Sequence, residues 1–392
     1  MTYYPPRGGG PLSVAGGPLV AMPGMSARRW VATPARTAHA PRIGIPRKAG
    51  RTQANPEDAV VLAKGAAACP KLGVGAWSWG NNTYWNSIWD AEAESKVAEA
   101  VGVAMDAGVT MFDTAEAYDF PQGKESSEAI LKRALGDRSS DAFVVTKFAP
   151  SPLKVTSQAV VDACKKSCDR LGRDSVELYL QHWPGIWANS AYVDGLASCV
   201  EQGLAKSVGV SNFNAKRLRE AHEALGSRGV PLAANQVQYS LVYTRPLDSG
   251  LLDVCRELDV ALMAWSPIGQ GLLTGRYSEE NPPPGIRGSA FGPILPELPP
   301  LLAALDKVGA AHGGKSKAQV ALRWLMDQDG VIAIPGAKNA SQVEDMVGAL
   351  GWSMTPEEVD ALTTAARELK DRVRSKGGLP ALADRLLEAG GV

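Results

Sequence analysis

Between residues 70 and 335 the chain repeats one pattern eight times: a short apolar run rich in β-branched and aromatic residues, then a longer stretch with apolar residues at three- and four-residue spacing. The runs fall near 70–76, 109–114, 142–148, 176–182, 207–211, 232–238, 260–266 and 331–335. Runs this short and this apolar read as parallel strands buried on both faces, and the stretches between them as amphipathic helices. Eight strand–helix units predict an α/β fold, a single (β/α)8 TIM barrel. With 392 residues and 45% hydrophobic content the chain can bury a core of that size.

The rival arrangement, a doubly wound sheet with a glycine-rich dinucleotide loop, requires G-x-G-x-x-G. Gly73-Val74-Gly75-Ala76-Trp77-Ser78 fails at the third glycine. The pairs Gly123-Lys124 and Gly314-Lys315 lack the spacing of a phosphate loop. Ahead of the barrel, Val60-Val61-Leu62 and Ala68-Cys69 predict a hairpin that plugs its floor. Behind it, Thr355-Pro356-Glu357-Glu358 is a helix start, with apolar or small residues at 359, 362, 366 and 369.

Outside the barrel, residues 57–374, the composition changes. Residues 1–56 hold eight Lys or Arg and no Asp or Glu, which leaves 33 basic and 41 acidic residues for the rest. An acid-free, Arg-bearing segment without apolar periodicity reads as a disordered leader, either an organelle transit peptide or a tail with no address. Chloroplast and mitochondrion are both open on composition. Residues 375–392 form a C-terminal extension with a helical pattern from Leu379 to Leu387. The acidic body gives no footprint for nucleic acid. No run approaches a membrane span, and no pattern in the chain specifies an oligomer. Five cysteines at 69, 164, 168, 199 and 255 show no CxxC spacing, and with only four histidines no metal centre is expected.

The chemistry gathers at the strand ends. Asp113 follows Val109–Phe112, Lys147 follows Phe143–Thr146, His182 follows Val176–Gln181, and Tyr118 lies in the loop after Asp113. A carboxylate, an ammonium, an imidazole and a phenol at the ends of successive barrel strands suit protonation of a carbonyl oxygen. Taken one at a time, Asp113 and Lys147 could be a structural ion pair, Tyr118 a loop aromatic and His182 a satisfied core histidine.

Six runs in order, Phe112-Asp113-Thr114-Ala115-Glu116-Ala117-Tyr118, Thr146-Lys147-Phe148, Gln181-His182-Trp183-Pro184, Gly209-Val210-Ser211-Asn212-Phe213, Asn235-Gln236 and Ile334-Pro335-Gly336-Ala337-Lys338, resemble the aldo-keto reductases over about residues 60–370. The resemblance implies an enzyme that reduces an aldehyde or ketone with NADPH. It makes Tyr118 the proton donor, Lys147 and Asp113 its support, and His182 the group that orients the carbonyl. A neighbouring ammonium is expected to lower the phenol's pKa.

Cofactor contacts carry over in the same way. Ser211, Asn212 and Gln236 match the residues that hold the nicotinamide carboxamide, and Trp265, followed by Ser266, Pro267 and Ile268, matches the aromatic on which the ring stacks. Arg276 and Arg287 match phosphate contacts, and Gly336, Lys338, Gln342 and Asp345 match the adenosine end. A lysine beside helix N–H groups suits a 2′-phosphate, so NADPH is expected over NADH. Departures from the family pattern are Asp119, Lys132 and Met346, where Gly, Gly and Asn are often found.

Tryptophans crowd the predicted loops, and Trp77, Tyr84, Trp85 and Trp183 are the expected substrate contacts, with Trp187 beside them. Trp79 and Trp89 serve equally well as loop packing. The run from Gly75 to Trp85 resembles chloroplast aldo-keto reductases of plants and algae, including pyridoxal reductases, which favours a chloroplast address and makes pyridoxal a candidate substrate. The alternative is an NADPH-binding regulatory or redox-sensing protein with little turnover.

Overall fold

The structure, a computed structural model, describes residues 58–62, 68–80, 84–85, 89–118, 126–185 and 189–375. The expected leader, the extension beyond Ser375, Asp119, Gly123-Lys124 and Trp187 lie outside the described residues.

Eight parallel strands follow one another in sequence order: β3 (Gly73–Gly75), β4 (Met111–Asp113), β5 (Phe143–Phe148), β6 (Val176–Gln181), β7 (Ala205–Ser211), β8 (Leu232–Gln238), β9 (Ala261–Trp265) and β10 (Val331–Ile334). The sheet closes on itself, because Ala333 N–H donates to Lys71 O at 2.8 Å and Gly75 N–H to Pro335 O at 2.9 Å. The (β/α)8 barrel expected from the repeat is the fold. Helices form where the three- and four-residue periodicity predicts them, and several of them are opened by a side-chain cap: Asp90 before Ala91–Asp106, Ser126 before Ser127–Leu135, Thr156 before Ser157–Leu171, Asn214 before Ala215–Gly226 and Ser316 before Lys317–Met326. Thr355 and Glu358 bond reciprocally to each other's backbone N–H at the start of the last helix, Pro356–Ser375.

Strand alternation divides the core in two. Phe112, Val144, Tyr179, Val208, Leu262 and Ala333 face the helices. Met111, Val145, Leu178, Leu180, Ala234, Met263, Ile332 and Ile334 fill the barrel interior. The antiparallel pair β1 (Ala59–Val61) and β2 (Ala68–Pro70) sets Leu62 and Cys69 into that interior layer, so the hairpin plugs the floor as expected. Asp58 just before it makes a buried ion pair with Arg323 at 2.7 Å, which ties the plug to the helix Lys317–Met326. All five cysteines are buried and unbridged.

Trp79 belongs to the packing. It is 2% exposed, and its indole Nε1 donates to Ala337 O at 2.7 Å, pinning the loop that follows β10. Trp79→Phe leaves that carbonyl without its buried donor, and we expect it to lower unfolding stability by about 1–3 kcal/mol in denaturant titration. A loss below a few tenths of a kcal/mol would show that water replaces the bond.

Candidate active site

Period-two alternation also aims the polar residues. Met111 and Val145 fill the interior, so Asp113 and Lys147, two residues further along, continue onto the inner face at its C-terminal rim. The same step carries Leu180 to His182, Ala234 to Gln236, Met263 to Trp265 and Ile334 to Gly336. Gly209 sits where β7 and β8 approach closely, since a Cβ there would lie 2.5 Å from Ala234 O.

The residues meet. Lys147 Nζ, fully buried, donates to both carboxylate oxygens of Asp113 at 2.8 Å, to Thr114 O at 2.7 Å and to the Tyr118 hydroxyl at 2.8 Å. The Tyr118 hydroxyl donates to Asp113 Oδ2 at 3.1 Å. The Tyr118 and His182 rings meet edge-on, with centroids 5.7 Å apart. Gln236 Nε2 donates to Asp113 Oδ1 at 2.7 Å. Ser211 Oγ donates to Gln236 O at 2.8 Å, Asn212 Nδ2 donates to Ser211 Oγ and His182 O at 3.1 Å each, and Trp265 Nε1 donates to Asn212 Oδ1 at 3.2 Å. One hydrogen-bonded network therefore joins both groups of expected residues.

Burial, and then the Asp113 carboxylate, push the Tyr118 phenol well above its ordinary value. That is opposite to the direction expected from the Lys147 ammonium alone: the phenol lies in a dry site and its hydroxyl donates to an acceptor. Burial pulls Lys147 below its usual range, with Asp113 opposing. Burial and the Lys147 charge pull His182 down to about 3, so its imidazole is neutral near pH 7. His182 Nδ1 is buried and has no hydrogen-bond partner among the described residues.

A groove of about 610 Å³ runs from Asp113, Tyr118 and His182 past Ser211, Asn212, Gln236, Trp265, Ser266, Pro267 and Ile268 to Arg276, Arg287, Gly336, Lys338, Gln342 and Asp345. Asn212 and Ser266 hold positive φ, 62° and 52°, directly after β7 and β9, a strain that concentrates at functional sites. At the far end, burial and the Arg287 charge lower the Lys338 ammonium. Arg287 is 5% exposed, and its Nε has no partner among the described residues. Two crowded cations in a dry groove leave room for an anion between them. Gln342 Oε1 accepts from the Lys338 backbone N–H at 2.7 Å, and Asp345 Oδ1 accepts from Ser316 Oγ and Gln319 Nε2, so both also brace the groove's wall.

The aromatic residues divide by place. Trp77, Trp85 and Trp183 line the groove. Tyr84 stands behind Trp77, stacked at 5.1 Å, and its hydroxyl donates to Gln270 Oε1 at 2.5 Å. Trp85 lies under Arg287 at 4.7 Å and Lys338 at 5.7 Å, beside the cations. Trp183, 42% exposed, stacks on His182.

Sequence reasoning missed Glu128. Its carboxylate is fully buried behind β5, accepting from Thr146 Oγ1 at 2.6 Å and Arg170 Nε at 2.5 Å, and it helps hold the Lys147 charge. An acid in a helix's first turn reads as a dipole partner on the surface, and no sequence signal marks this one as buried.

A closed parallel barrel with a polar network at its C-terminal rim and a long groove leading to cations defines an α/β-barrel enzyme with room for a dinucleotide. The profile of the aldo/keto reductase family matches residues 71–367. Chloroplastic pyridoxal reductase of Arabidopsis thaliana is 36% identical over 318 residues, covering 78% of this chain and 85% of the relative. An aldo-keto reductase of Bacillus subtilis is 27% identical over 309 residues, covering 75% and 89%. The solved structure of an aldo-keto reductase from Klebsiella pneumoniae in complex with NADPH is similar at a TM-score of 0.61 and 25% identity, covering 78% of this chain and 93% of that one. This chain belongs to the aldo/keto reductase family.

Proposed function

We propose that the protein reduces an aldehyde or ketone to the alcohol with NADPH, using Tyr118 as proton donor. The observation that carries this is the buried Lys147 ammonium, 2.8 Å from both the Tyr118 hydroxyl and Asp113, two residues that line a groove ending in the crowded cations Arg287 and Lys338. Its relatives include a pyridoxal reductase and a protein crystallised with NADPH, which supports the same reading.

When bound, NADPH supplies a hydride for the carbonyl carbon. Tyr118 holds its proton throughout the neutral range and gives it to the carbonyl oxygen, and the Lys147 ammonium stabilises the phenolate that remains. Asp113 keeps Lys147 charged in the dry site. The neutral His182 imidazole donates a hydrogen bond to the carbonyl oxygen and fixes its position. Ser211, Asn212 and Gln236 hold the carboxamide; Gln236 uses Nε2 on Asp113 and offers Oε1. Trp265 forms the stacking face, and Ser266, Pro267 and Ile268 continue the wall. Arg276, Arg287 and Lys338 hold the phosphates, and Gly336, Gln342 and Asp345 frame the adenosine end.

Trp77, Trp85 and Trp183 give the carbonyl end and its approach an aromatic wall, with Tyr84 fixing Trp77, which suits flat aldehydes such as pyridoxal. We place the domain limits at 1–56, 57–374 and 375–392, with the first segment a chloroplast leader; a fluorescent fusion of residues 1–56 that stays in the cytosol of a plant cell would remove that assignment. None of the described helices is long and apolar enough to cross a membrane.

The test follows NADPH consumption by the protein, truncated before residue 57, with a panel of aldehydes that includes pyridoxal. Tight NADPH binding without turnover on any carbonyl would replace the reductase by a cofactor-sensing protein. In the same assay, Lys338→Ala should raise KM for NADPH by about 10- to 100-fold and leave KM for NADH nearly unchanged, because only NADPH carries the 2′-phosphate.

The pH profile has a definite form. With His182 depressed to about 3 and Tyr118 raised, neither group titrates between pH 5 and 8, so kcat/KM for reduction should be flat there. An inflection near pH 6.5 that disappears in His182→Gln would contradict the neutral imidazole.

A further inference from the structure

A second cavity, of about 250 Å³, lies on the other side of Trp265, between the loops that follow β7 and β8. It shares Asn212 and Trp265 with the main groove. Its walls join apolar surface from Phe213 and Leu251 to the cationic side chains of Lys216 and Arg245, and no Asp or Glu among the described residues lines it.

Arg245 is the informative member. It is half-buried, its Nη1 is shielded from solvent, and that donor has no hydrogen-bond partner among the described residues. Nor does any carboxylate among them form an ion pair with it, whereas Asp248, on the same short helix, is held by Lys370 and Arg367. A shielded guanidinium N–H without an acceptor is unfavourable until a ligand supplies one. Lys216 stands at the rim, 85% exposed, with the exposed Glu220 of its own helix 4.0 Å away and outside the cavity lining. It adds charge that draws an anion inward without blocking the way.

We propose that this cavity is a second ligand site, for a small organic anion whose carboxylate or phosphate bonds Arg245 and whose flat apolar body packs on Phe213, Leu251 and Trp265. Its volume lies below that of pockets for drug-sized molecules, which limits the occupant to about one ring with its charged group. Occupancy is coupled to the main groove. The occupant touches Trp265, and Trp265 Nε1 donates to Asn212 Oδ1 at 3.2 Å, so two residues facing the main groove are held in place from behind. Linkage then requires that the anion and a ligand of the main groove alter each other's affinity by the same factor.

The probe is 4-bromobenzoate, whose bromine is located by anomalous scattering in soaked crystals grown with and without NADP+. An anomalous peak beside Arg245 in both crystal forms is expected, with loss of that peak in Arg245→Met. By calorimetry, affinity should fall by about tenfold or more in Arg245→Met and recover in part in Arg245→Lys. Thermal unfolding of both variants near the parent temperature establishes that they are folded. No peak, a peak confined to the main groove near His182, or binding at the Arg245 cavity that Arg245→Met leaves unchanged would overturn the proposal. The crystals without NADP+ separate its failure from failure of the reductase reading, because the cavity does not depend on what fills the groove.

Discussion

Tyr118→Phe should lower kcat for carbonyl reduction by about 10²- to 10⁴-fold, the usual contribution of a positioned general acid, while leaving NADPH affinity within about threefold of the parent. The substitution removes one oxygen and nothing else. That oxygen accepts from Lys147 Nζ at 2.8 Å and donates to Asp113 Oδ2 at 3.1 Å, and both partners keep each other in its absence. The phenyl ring preserves the edge contact with His182, so the groove keeps its shape. Stopped-flow single turnovers separate chemistry from cofactor release. If the hydride-transfer step of the variant matched the parent, Tyr118 would not be the acid, and the remaining acidic proton beside the site would be that of the Lys147 ammonium.

That prediction rests on residues whose positions were legible in the chain, and the reason is geometric. Asp113, Lys147 and His182 each stand at the end of an apolar run, and period-two alternation fixes which face of a strand each residue takes once one interior neighbour is known. Met111, Val145 and Leu180 supply those neighbours, so three of the four groups were placed by local pattern alone. Tyr118 was harder, because a loop residue has no periodicity and its role came from resemblance. The pairing of Gln236 with Asp113, 123 residues apart, was not legible, since nothing local distinguishes an amide that meets a cofactor from one that also grips a carboxylate.

Glu128 was lost for the opposite reason, a local signal that pointed outward while the tertiary packing buried it. The direction of the Tyr118 shift was missed too, because a residue list names the ammonium but gives no measure of burial, and burial is its largest cause. Trp85, expected as a substrate contact, touches Trp77 on one side and Arg287 and Lys338 on the other, and no local pattern marks a loop tryptophan that bridges the two.

Lys147→Met should reduce the stability of the folded chain by about 3–5 kcal/mol, because it leaves the Asp113 carboxylate buried without its cation. Asp113 retains hydrogen bonds from Gln236 Nε2 and Tyr118, two neutral donors in place of a charge. Burial favours the neutral carboxyl over an unpaired carboxylate, so the folded variant binds more protons than the unfolded chain; its stability then falls as pH rises, and the deficit against the parent is larger at pH 8 than at pH 5. Asp113→Asn in the Lys147→Met background removes the charge, and urea unfolding should show it recovering most of the deficit at pH 8 and little at pH 5. A deficit equal at both values, or a double variant no more stable than Lys147→Met alone, would mean that the loss comes from packing around the lysine stem and that the Asp113–Lys147 pair is not what holds this rim together.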